Sequence, residues 1–364
     1  MRRVLVWIAA VVLVLAVAGV GGAGWYYSGM VVEPSHGGSY PLTVTAFDGS
    51  RVTLSGGGPD LAAPGRYGLT WRDGNATLGR VLSTAAGTVT REVTRVRRGR
   101  LAAGVRAYFD RWIWGHEDPR SAVGLAYSAV PVGGYPAWLV PGTSRTWVIA
   151  VHGRNANPAE TLRYLPLLHS LGLPVLAIGY RNDEGAPASP DGLFHLGASE
   201  WQDVAAAISY ARGRGATGVV LYGFSMGGGI VPMTVRRSPG APVKAMILDS
   251  PVLDWNAPID LGARQQGVPG WLTSLGKLFV ERRTGVSLDD VDHVRHANAF
   301  KQPTLIFVDD ADTSVPIAPA LRFAQLRPDL VTLVRTHGGG HVGSWNVDPA
   351  RYEQALRGFL TKLP

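Results

Sequence analysis

The sequence contains no cysteine, and only 17% of its 364 residues are charged. A chain without thiols has no disulfide framework, no thiol nucleophile and no thiolate metal site, while its redox compartment stays open. The hydrophobic fraction is 46%, which excludes disorder by composition. The chain is therefore long enough and apolar enough to fold as one large domain or two smaller ones.

Acidic residues are also in the minority: 27 Asp and Glu face 35 Lys and Arg, which gives a formal net charge of +8. The densest basic stretch consists of Arg91, Arg95, Arg97, Arg98, Arg100 and Arg106. No aromatic side chains interleave there, and no nucleic-acid module is recognisable. We therefore interpret this stretch as a solvated or lipid-facing surface and expect no nucleic-acid partner.

The first 30 residues have the pattern of a membrane segment. Arg2 and Arg3 precede an uncharged apolar run over residues 4–24, close to the ~20 residues that a spanning helix needs. Trp25, Tyr26 and Tyr27 follow, as in an interfacial aromatic belt. This pattern predicts an anchor in the cytoplasmic membrane, with the rest of the chain outside.

The alternative interpretation of residues 1–30 is a signal peptide that is removed. Ala16, Val17 and Ala18 form a weak small-residue cleavage site, and cleavage there would release a secreted protein. Both interpretations place the body of the protein outside the cytoplasm.

Residues 35–100 predict a small β-rich domain. Apolar and polar residues alternate on either side of Asp48 and Gly49, and again around Asp73 and Gly74, as in hairpins with tight turns. Residues 101–126 begin with LAAGVRAYFDRWIW, which we interpret as a helical connector to the rest of the chain.

From residue 127 to residue 364 the pattern changes to strands that alternate with helical stretches. After a predicted hairpin, the strands are TWVIAVHG, LPVLAIGY, GVVLYGFS, VKAMILDSP, TLIFVDDAD and LVTLVRTHGG. Their continuous apolar character is typical of a parallel sheet that is covered on both faces. The fold class is therefore α/β, with residues 258–299 as a possible cap inserted between strands.

Ser225 lies in the motif G-x-S-x-G, with Gly223 and Gly227 on either side. An apolar strand precedes the motif and a helix is expected to follow. In that context a sharp strand-to-helix turn exposes the serine hydroxyl at the carboxyl edge of the sheet. Ser225 is therefore the candidate nucleophile.

A serine hydroxyl needs a base, which in turn needs a carboxylate to orient it. The strand TLIFVDDAD ends in Asp309, Asp310 and Asp312, and the next strand ends in His337 and His341. Because loops at one edge of a parallel sheet converge, an acid and a histidine can meet Ser225 there. The order Ser, Asp, His predicts a catalytic triad, with several candidates for the last two members.

Residues 135–363 resemble the α/β-hydrolase superfamily, nearest to its prolyl oligopeptidase-like and Bem46-like serine esterase branches. The matching pieces are VHGRN, EWQDVAAAISYA, GFSMGG, LDSP, DTSVP and GGGHVGSWN. The resemblance implies the α/β-hydrolase fold, with a mostly parallel central sheet and helices on both faces. It assigns the acid to Asp312, three residues before a Val-Pro pair, and the base to His341. Asp249 is the alternative acid.

An oxyanion hole needs two hydrogen-bond donors aimed at the developing charge. One is the backbone N–H of Met226, the residue after the nucleophile. The resemblance to the family's His-Gly motif, here His152 and Gly153, assigns the other to the backbone N–H of Arg154 and gives His152 a structural role.

We expect no metal, because His337 and His341 are separated by three glycines that disfavour a helical zinc pair. We also expect no cofactor.

The sequence thus predicts a serine hydrolase that cleaves a carboxylic ester of a small or lipid-like molecule. A serine peptidase or an acyltransferase on the same triad remains an alternative, because a fold does not determine a substrate. A second alternative is a surface binding protein that keeps a hydrolase fold without catalysis.

Overall fold

The computed structural model describes residues 2–363, with the exception of the side chains of residues 2, 9, 12, 13, 16 and 17. The proposed signal-cleavage site at Ala16 and Val17 therefore involves side chains outside the described part. The chain forms an N-terminal helix, a β-barrel and an α/β domain that carries two additional helices.

The N-terminal helix, α1, runs from Arg2 to Val32. Its first part is exposed to solvent, with Trp7 74% exposed, whereas Ser28 and Val32 near its end are buried. None of the helices that the structure describes is both long enough and apolar enough to cross a bilayer. The membrane anchor at residues 4–24 stays a prediction from the sequence.

Six antiparallel strands close into a small barrel. They are β1 (Leu42–Phe47), β2 (Arg51–Ser55), β3 (Tyr67–Trp71), β4 (Gly74–Ala85), β5 (Thr88–Arg98) and β6 (Arg106–Asp110), in the order β1-β2-β5-β4-β3-β6. Strands β1 and β2 form one hairpin and β3 and β4 another, at the positions that the sequence indicated. Closure leaves no unpaired sheet edge, which lets so short a β-domain bury its own core.

The helical connector predicted for residues 101–126 is wrong over its first half. Strand β6 occupies this stretch, and it pairs with both β1 and β3 to close the barrel. The aromatic residues Tyr108 and Phe109 suit a strand, and two sets of ladder hydrogen bonds outweigh a local helical spacing. Only a short helix, α2 (Pro119–Val123), follows, and Asp118 caps it.

The interpretation of the basic stretch as a surface is wrong for Arg91, which is fully buried inside the barrel. Its guanidinium donates hydrogen bonds to four backbone carbonyl oxygens, at 2.7–3.0 Å. The acceptors are Leu61, Ala63, Gly65 and Gly79. The guanidinium also lies over the rings of Tyr67 and Phe109. Burial lowers the pKa of Arg91 to about 10.

The α/β domain is built on an eight-stranded sheet with the order β14-β13-β12-β11-β9-β10-β8-β7. The strands are β7 (Ser128–Val132), β8 (Tyr135–Val140), β9 (Thr146–Val151), β10 (Val175–Ile178), β11 (Gly218–Phe224), β12 (Val243–Asp249), β13 (Thr304–Asp309) and β14 (Val331–Thr336). Strands β9 to β14 are mutually parallel, and the hairpin β7–β8 pairs antiparallel at one edge.

Helices cover both faces of this sheet and create two apolar cores. On one face lie α4 (Trp201–Gly213), α5 (Gly227–Arg237) and α8 (Ala318–Leu326). On the other face lie α3 (Leu165–Ser170) and α10 (Pro349–Leu360). A short helix, α9 (Ser344–Val347), precedes α10. The carboxyl ends of the parallel strands therefore share one rim, where ligands of such sheets bind.

Two helices are inserted after β12, and they begin two residues before the segment 258–299 that the sequence indicated as a possible cap. They are α6 (Asn256–Gln265) and α7 (Gly270–Thr284). Helix α7 packs against the end of α1: Arg283 donates hydrogen bonds to the Trp25 carbonyl oxygen and to Ser28 Oγ, and its guanidinium lies 4.0 Å from the centre of the Trp25 ring. The end of α1 is thus attached to the inserted helices.

Replacing Arg91 should destabilise the barrel strongly. In Arg91→Met four buried or partly buried carbonyl oxygens lose their donor, so we expect a loss of about 3 kcal/mol in the free energy of unfolding. Arg95→Met is the matched control, because Arg95 is exposed on the same strand and such changes typically stay within about 0.5 kcal/mol. Urea denaturation followed by tryptophan fluorescence measures both. Equal unfolding midpoints would contradict the structural role of Arg91.

Candidate active site

Ser225 lies in the turn between β11 and α5 and has a φ of 51°, in the left-handed region that costs energy for a residue with a side chain. The flanking glycines make this turn possible. A Cβ atom at Gly223 would collide with the Gly227 carbonyl oxygen, and one at Gly227 would collide with the Val151 carbonyl oxygen. The turn is fixed by hydrogen bonds to the neighbouring strand end, including one from Ser225 N to the Asp249 carbonyl oxygen at 3.0 Å.

The structure brings Ser225, His341 and Asp312 into one hydrogen-bonded series. His341 Nε2 lies 2.8 Å from Ser225 Oγ, and His341 Nδ1 lies 2.8 Å from Asp312 Oδ2. An ionised carboxylate only accepts hydrogen bonds, so the proton of a neutral imidazole belongs on Nδ1 and Nε2 is left to accept from the serine hydroxyl. The three residues follow β11, β14 and β13, whose carboxyl ends share one rim.

Asp312 is held in the ionised form by its surroundings. Its side chain is 1% exposed, and Oδ1 accepts hydrogen bonds from the backbone N–H groups of Ser314 and Val315 at 2.9 and 2.8 Å. Burial by itself would raise the pKa of Asp312, but the electrostatic interaction with His341 and the hydrogen bonds from His341, Val315 and Ser314 lower the pKa below its usual value. A carboxylate is therefore present to orient His341.

The other candidate residues, Asp309, Asp310 and His337, form hydrogen bonds or ion pairs outside this series. Asp309 is buried and accepts hydrogen bonds from Thr336 Oγ1 and from the N–H of Gly340, at 2.7 and 2.9 Å. Asp310 pairs with Arg335 and with His337 at the surface. Asp309 thus supports the loop before His341, whereas Asp310 and His337 are remote from the serine.

Asp249, the alternative acid, contacts other partners. Its Oδ2 accepts hydrogen bonds from the hydroxyls of Tyr164 and Tyr352 at 3.2 and 2.8 Å. Burial raises the pKa of Asp249 to about 6, although the nearby Arg163 opposes the rise. Asp249 is therefore placed in a tyrosine cluster behind the serine turn, and none of the hydrogen bonds of residues 2–363 joins it to His341.

Met226 and Arg154 line the same cavity as Ser225. In the described part of the chain, no hydrogen bond uses either of these two donors. The N–H of Gly153, next to Arg154, is occupied by Glu160 Oε2 at 2.8 Å. The N–H groups of Met226 and Arg154 thus have no hydrogen-bond partner among the described residues, and their part in an oxyanion hole stays a prediction.

His152 is buried and takes no part in the series. Its Nε2 lies 2.9 Å from Asp183 Oδ2, and its ring stacks on that of Tyr180 with 4.4 Å between ring centres. Burial opposes the charged form of His152, yet the neighbouring Asp183 gives a net rise of its pKa. These contacts hold the loop that carries Arg154.

Sequence reasoning did not identify the residues that hold the His341 loop against the barrel. Asn346 is fully buried and its Nδ2 donates hydrogen bonds to the carbonyl oxygens of Arg66 and Arg111, at 2.7 and 2.9 Å. Arg163 donates to Asn346 Oδ1 and to the Val342 carbonyl oxygen. The sequence offers no sign of these pairings, because the partners lie far apart along the chain.

A cavity of about 380 Å³ opens above Ser225 and His341. Its walls come from the end of α1, from α6 and α7, and from the loops after β9 and β12. Most of the lining side chains are apolar, for example Val252, Ile259 and Leu272. The cavity size lies within the range of small-molecule sites.

Among the described residues, no group of three or more His, Asp or Glu side chains is placed to hold a metal ion.

Three comparisons with known proteins bear on this chain. The profile of a family described as a domain of unknown function, DUF8805, matches residues 43–110, which are the barrel. A search of curated protein sequences finds no significant match.

Solved structures that are similar include an esterase of Pyrococcus furiosus, Pf2001, in three crystal forms. These share 20–21% sequence identity with the chain, cover 68% of it and 94–97% of the esterase, and give TM-scores of 0.53–0.56. At this level of identity the likeness establishes the fold, and the chain has the α/β-hydrolase fold that its motifs indicated.

Removing the Asp312 carboxylate should slow reactions of Ser225 far more than removing the Asp249 carboxylate. In Asp312→Asn, His341 loses the partner that fixes its tautomer, and the equivalent change in another Ser-His-Asp protein lowers the rate by about 10⁴. The measurement is the rate of covalent labelling of Ser225 by a fluorophosphonate, followed by mass spectrometry. Asp249→Asn is the matched control, and thermal unfolding reports whether each variant folds. Fast labelling of Asp312→Asn together with slow labelling of folded Asp249→Asn would assign the acid to Asp249.

Proposed function

We propose that the protein is a serine hydrolase that cleaves a carboxylic ester through an acyl-enzyme. The observation that carries the proposal is the series Ser225–His341–Asp312, which lies at the floor of an apolar cavity beside two unused backbone donors. An α/β-hydrolase fold and the likeness to an esterase support it.

The geometry supports a two-step mechanism. Ser225 Oγ attacks the ester carbonyl carbon while its proton passes to His341 Nε2, and the carbonyl electron pair moves onto the oxygen. The N–H groups of Met226 and Arg154 hold this oxyanion. The C–O bond to the alcohol then breaks, and the alcohol leaves with the proton from His341.

In the second step His341 takes a proton from water, and the water oxygen attacks the acyl carbon. Collapse of the second oxyanion releases the carboxylic acid and returns the proton to Ser225. Asp312 stays ionised throughout and stabilises the imidazolium in both steps.

An ester is favoured over a peptide because of the cavity lining. The only permanently charged side chain among the described lining residues is Arg154, and its guanidinium is bonded to the carbonyl oxygens of Met30 and Val31. A peptidase that binds the charged terminus of a peptide would need an unpaired charged side chain in the cavity. An acyltransferase would use the same acyl-enzyme with an alcohol in place of water, and a binding protein without catalysis would have no need for the intact series.

Within the superfamily, the motifs around Ser225, Asp312 and His341 favour the prolyl oligopeptidase-like and Bem46-like branch.

We also propose that the catalytic domain works outside the cytoplasmic membrane. The support is the sequence pattern of Arg2 and Arg3 before the apolar run of residues 4–24. Protease treatment of intact cells that produce the tagged full-length chain tests this location: degradation of the catalytic domain without lysis is expected, and protection until lysis would contradict the proposal.

The proposed activity predicts that the full-length protein hydrolyses p-nitrophenyl esters and leaves peptide p-nitroanilides nearly untouched. Ser225→Ala should abolish turnover, because alanine has no hydroxyl that could form the acyl-enzyme. The readouts are nitrophenol release and fluorophosphonate labelling, with a known serine esterase as the positive control.

Absence of labelling and of ester cleavage in the folded wild type would overturn the proposal. Faster release of nitroaniline than of nitrophenol would favour a peptidase, and retained turnover in Ser225→Ala would assign a different nucleophile.

A further inference from the structure

The end of α1 forms part of the cavity above Ser225. Tyr27, Met30 and Val31 line it, although they belong to a segment whose sequence pattern indicates a membrane element. On the opposite side lie Leu272, Gly276 and Val280 of α7. The space between the two helices is therefore continuous with the site of the candidate nucleophile.

Helix α1 is fixed in this position from both sides of the cavity. Arg154 Nη1 donates hydrogen bonds to the carbonyl oxygens of Met30 and Val31, both at 2.9 Å. These are among the last carbonyl groups of α1, which have no partner within the helix. On the other side Arg283 is bonded to Trp25 and Ser28. The contact is thus built from polar bonds as well as apolar packing.

The side chains that line the cavity carry little charge, which restricts the kind of ligand that can bind. No Asp, Glu or Lys is present among the described residues that line the cavity, and Nη1 of the one guanidinium, that of Arg154, donates hydrogen bonds to two carbonyl oxygens of α1. Apart from Ser225 and His341, the groups between α1 and α7 are mainly aliphatic or aromatic. Such a wall favours a neutral, apolar group of the substrate and disfavours a charged one.

The helices approach closely because glycines face the contact. A Cβ atom at Gly24 of α1 would lie 2.6 Å from the ring of Phe279, and the nearest atom to a Cβ at Gly276 of α7 is Tyr27 Cβ, at 3.8 Å. Gly276 therefore leaves open space beside Tyr27. A large side chain at position 276 would fill it.

We propose that α1 and α7 form an acyl-binding subsite and that the enzyme prefers esters of elongated, unbranched apolar acids. This inference rests on the proposed ester hydrolysis and adds its substrate class. Each methylene that enters the subsite should raise kcat/KM by about fourfold, the factor that corresponds to burying one CH₂ group. The rise should stop where the cavity ends.

The experiment uses the full-length protein, because α1 contributes residues to the site. The kcat/KM values for p-nitrophenyl acetate, butyrate, hexanoate, octanoate and decanoate are measured below their critical micelle concentrations. We expect a rise with acyl length in the wild type. In Gly276→Leu the ratio of the decanoate to the acetate kcat/KM should fall at least tenfold, because the leucine fills space between α1 and α7 that a long acyl chain needs.

Gly270→Leu is the matched control, because Gly270 lies on the same helix, is exposed and has no neighbour within 4 Å of the position that a Cβ atom would occupy. It should keep the wild-type length profile. Tyr27→Ala against Tyr26→Ala is a second matched pair, since Tyr27 lines the cavity and Tyr26 is 66% exposed. Only Tyr27→Ala should change the ratio of decanoate to acetate hydrolysis. If Gly276→Leu does not fold, the comparison of Tyr27→Ala with Tyr26→Ala tests the subsite in its place.

The outcomes separate the two proposals. If Ser225 is labelled and esters are cleaved, but the length profile is flat or is the same in Gly276→Leu and Tyr27→Ala as in the wild type, the subsite is wrong and the hydrolase stands. If Ser225 is not labelled and no ester is cleaved, the hydrolase proposal fails and the subsite falls with it.

Discussion

The position of the His341 loop is the constraint on which the candidate site depends. The serine turn is an internal property of β11 and α5, whereas His341 reaches it from a loop with three glycines that has little rigidity of its own. Asp309 binds the N–H of Gly340, Ser250 Oγ accepts from the N–H of Val342, and Arg163 binds the Val342 carbonyl oxygen. Buried hydrogen bonds on both sides of His341 therefore hold the loop in position.

The barrel takes part in the same support. The hydroxyl of Tyr67 donates a hydrogen bond to the Gly339 carbonyl oxygen, and Asn346 connects this loop to the backbone at Arg66 and Arg111. Within the barrel, Arg91 binds the Gly65 carbonyl oxygen, one residue before Arg66. The region matched only by a domain of unknown function is thus in direct contact with the segment that carries the candidate base.

The sequence was sufficient for features with a local physical signature. Continuous apolar strands indicated the parallel sheet, and the glycines around Ser225 indicated a turn that leaves no room for side chains. The choice of Asp312 and His341 needed a family resemblance, because Asp309 and His337 satisfy the same order along the chain. Strand β6, the buried Arg91 and the role of Asn346 depend on partners remote in sequence, and periodicity does not carry that information. The same holds for α1, whose apolar pattern gives no sign that Tyr27 and Val31 would line a cavity.

Arg154 both lines the cavity and bonds to the end of α1. It lines the same cavity as Ser225, while its guanidinium donates hydrogen bonds to the Met30 and Val31 carbonyl oxygens near the end of α1. The loop after β9 and the end of α1 are thus tied together by one side chain. A displacement of α1 would therefore strain these two hydrogen bonds and alter the cavity wall that both segments share.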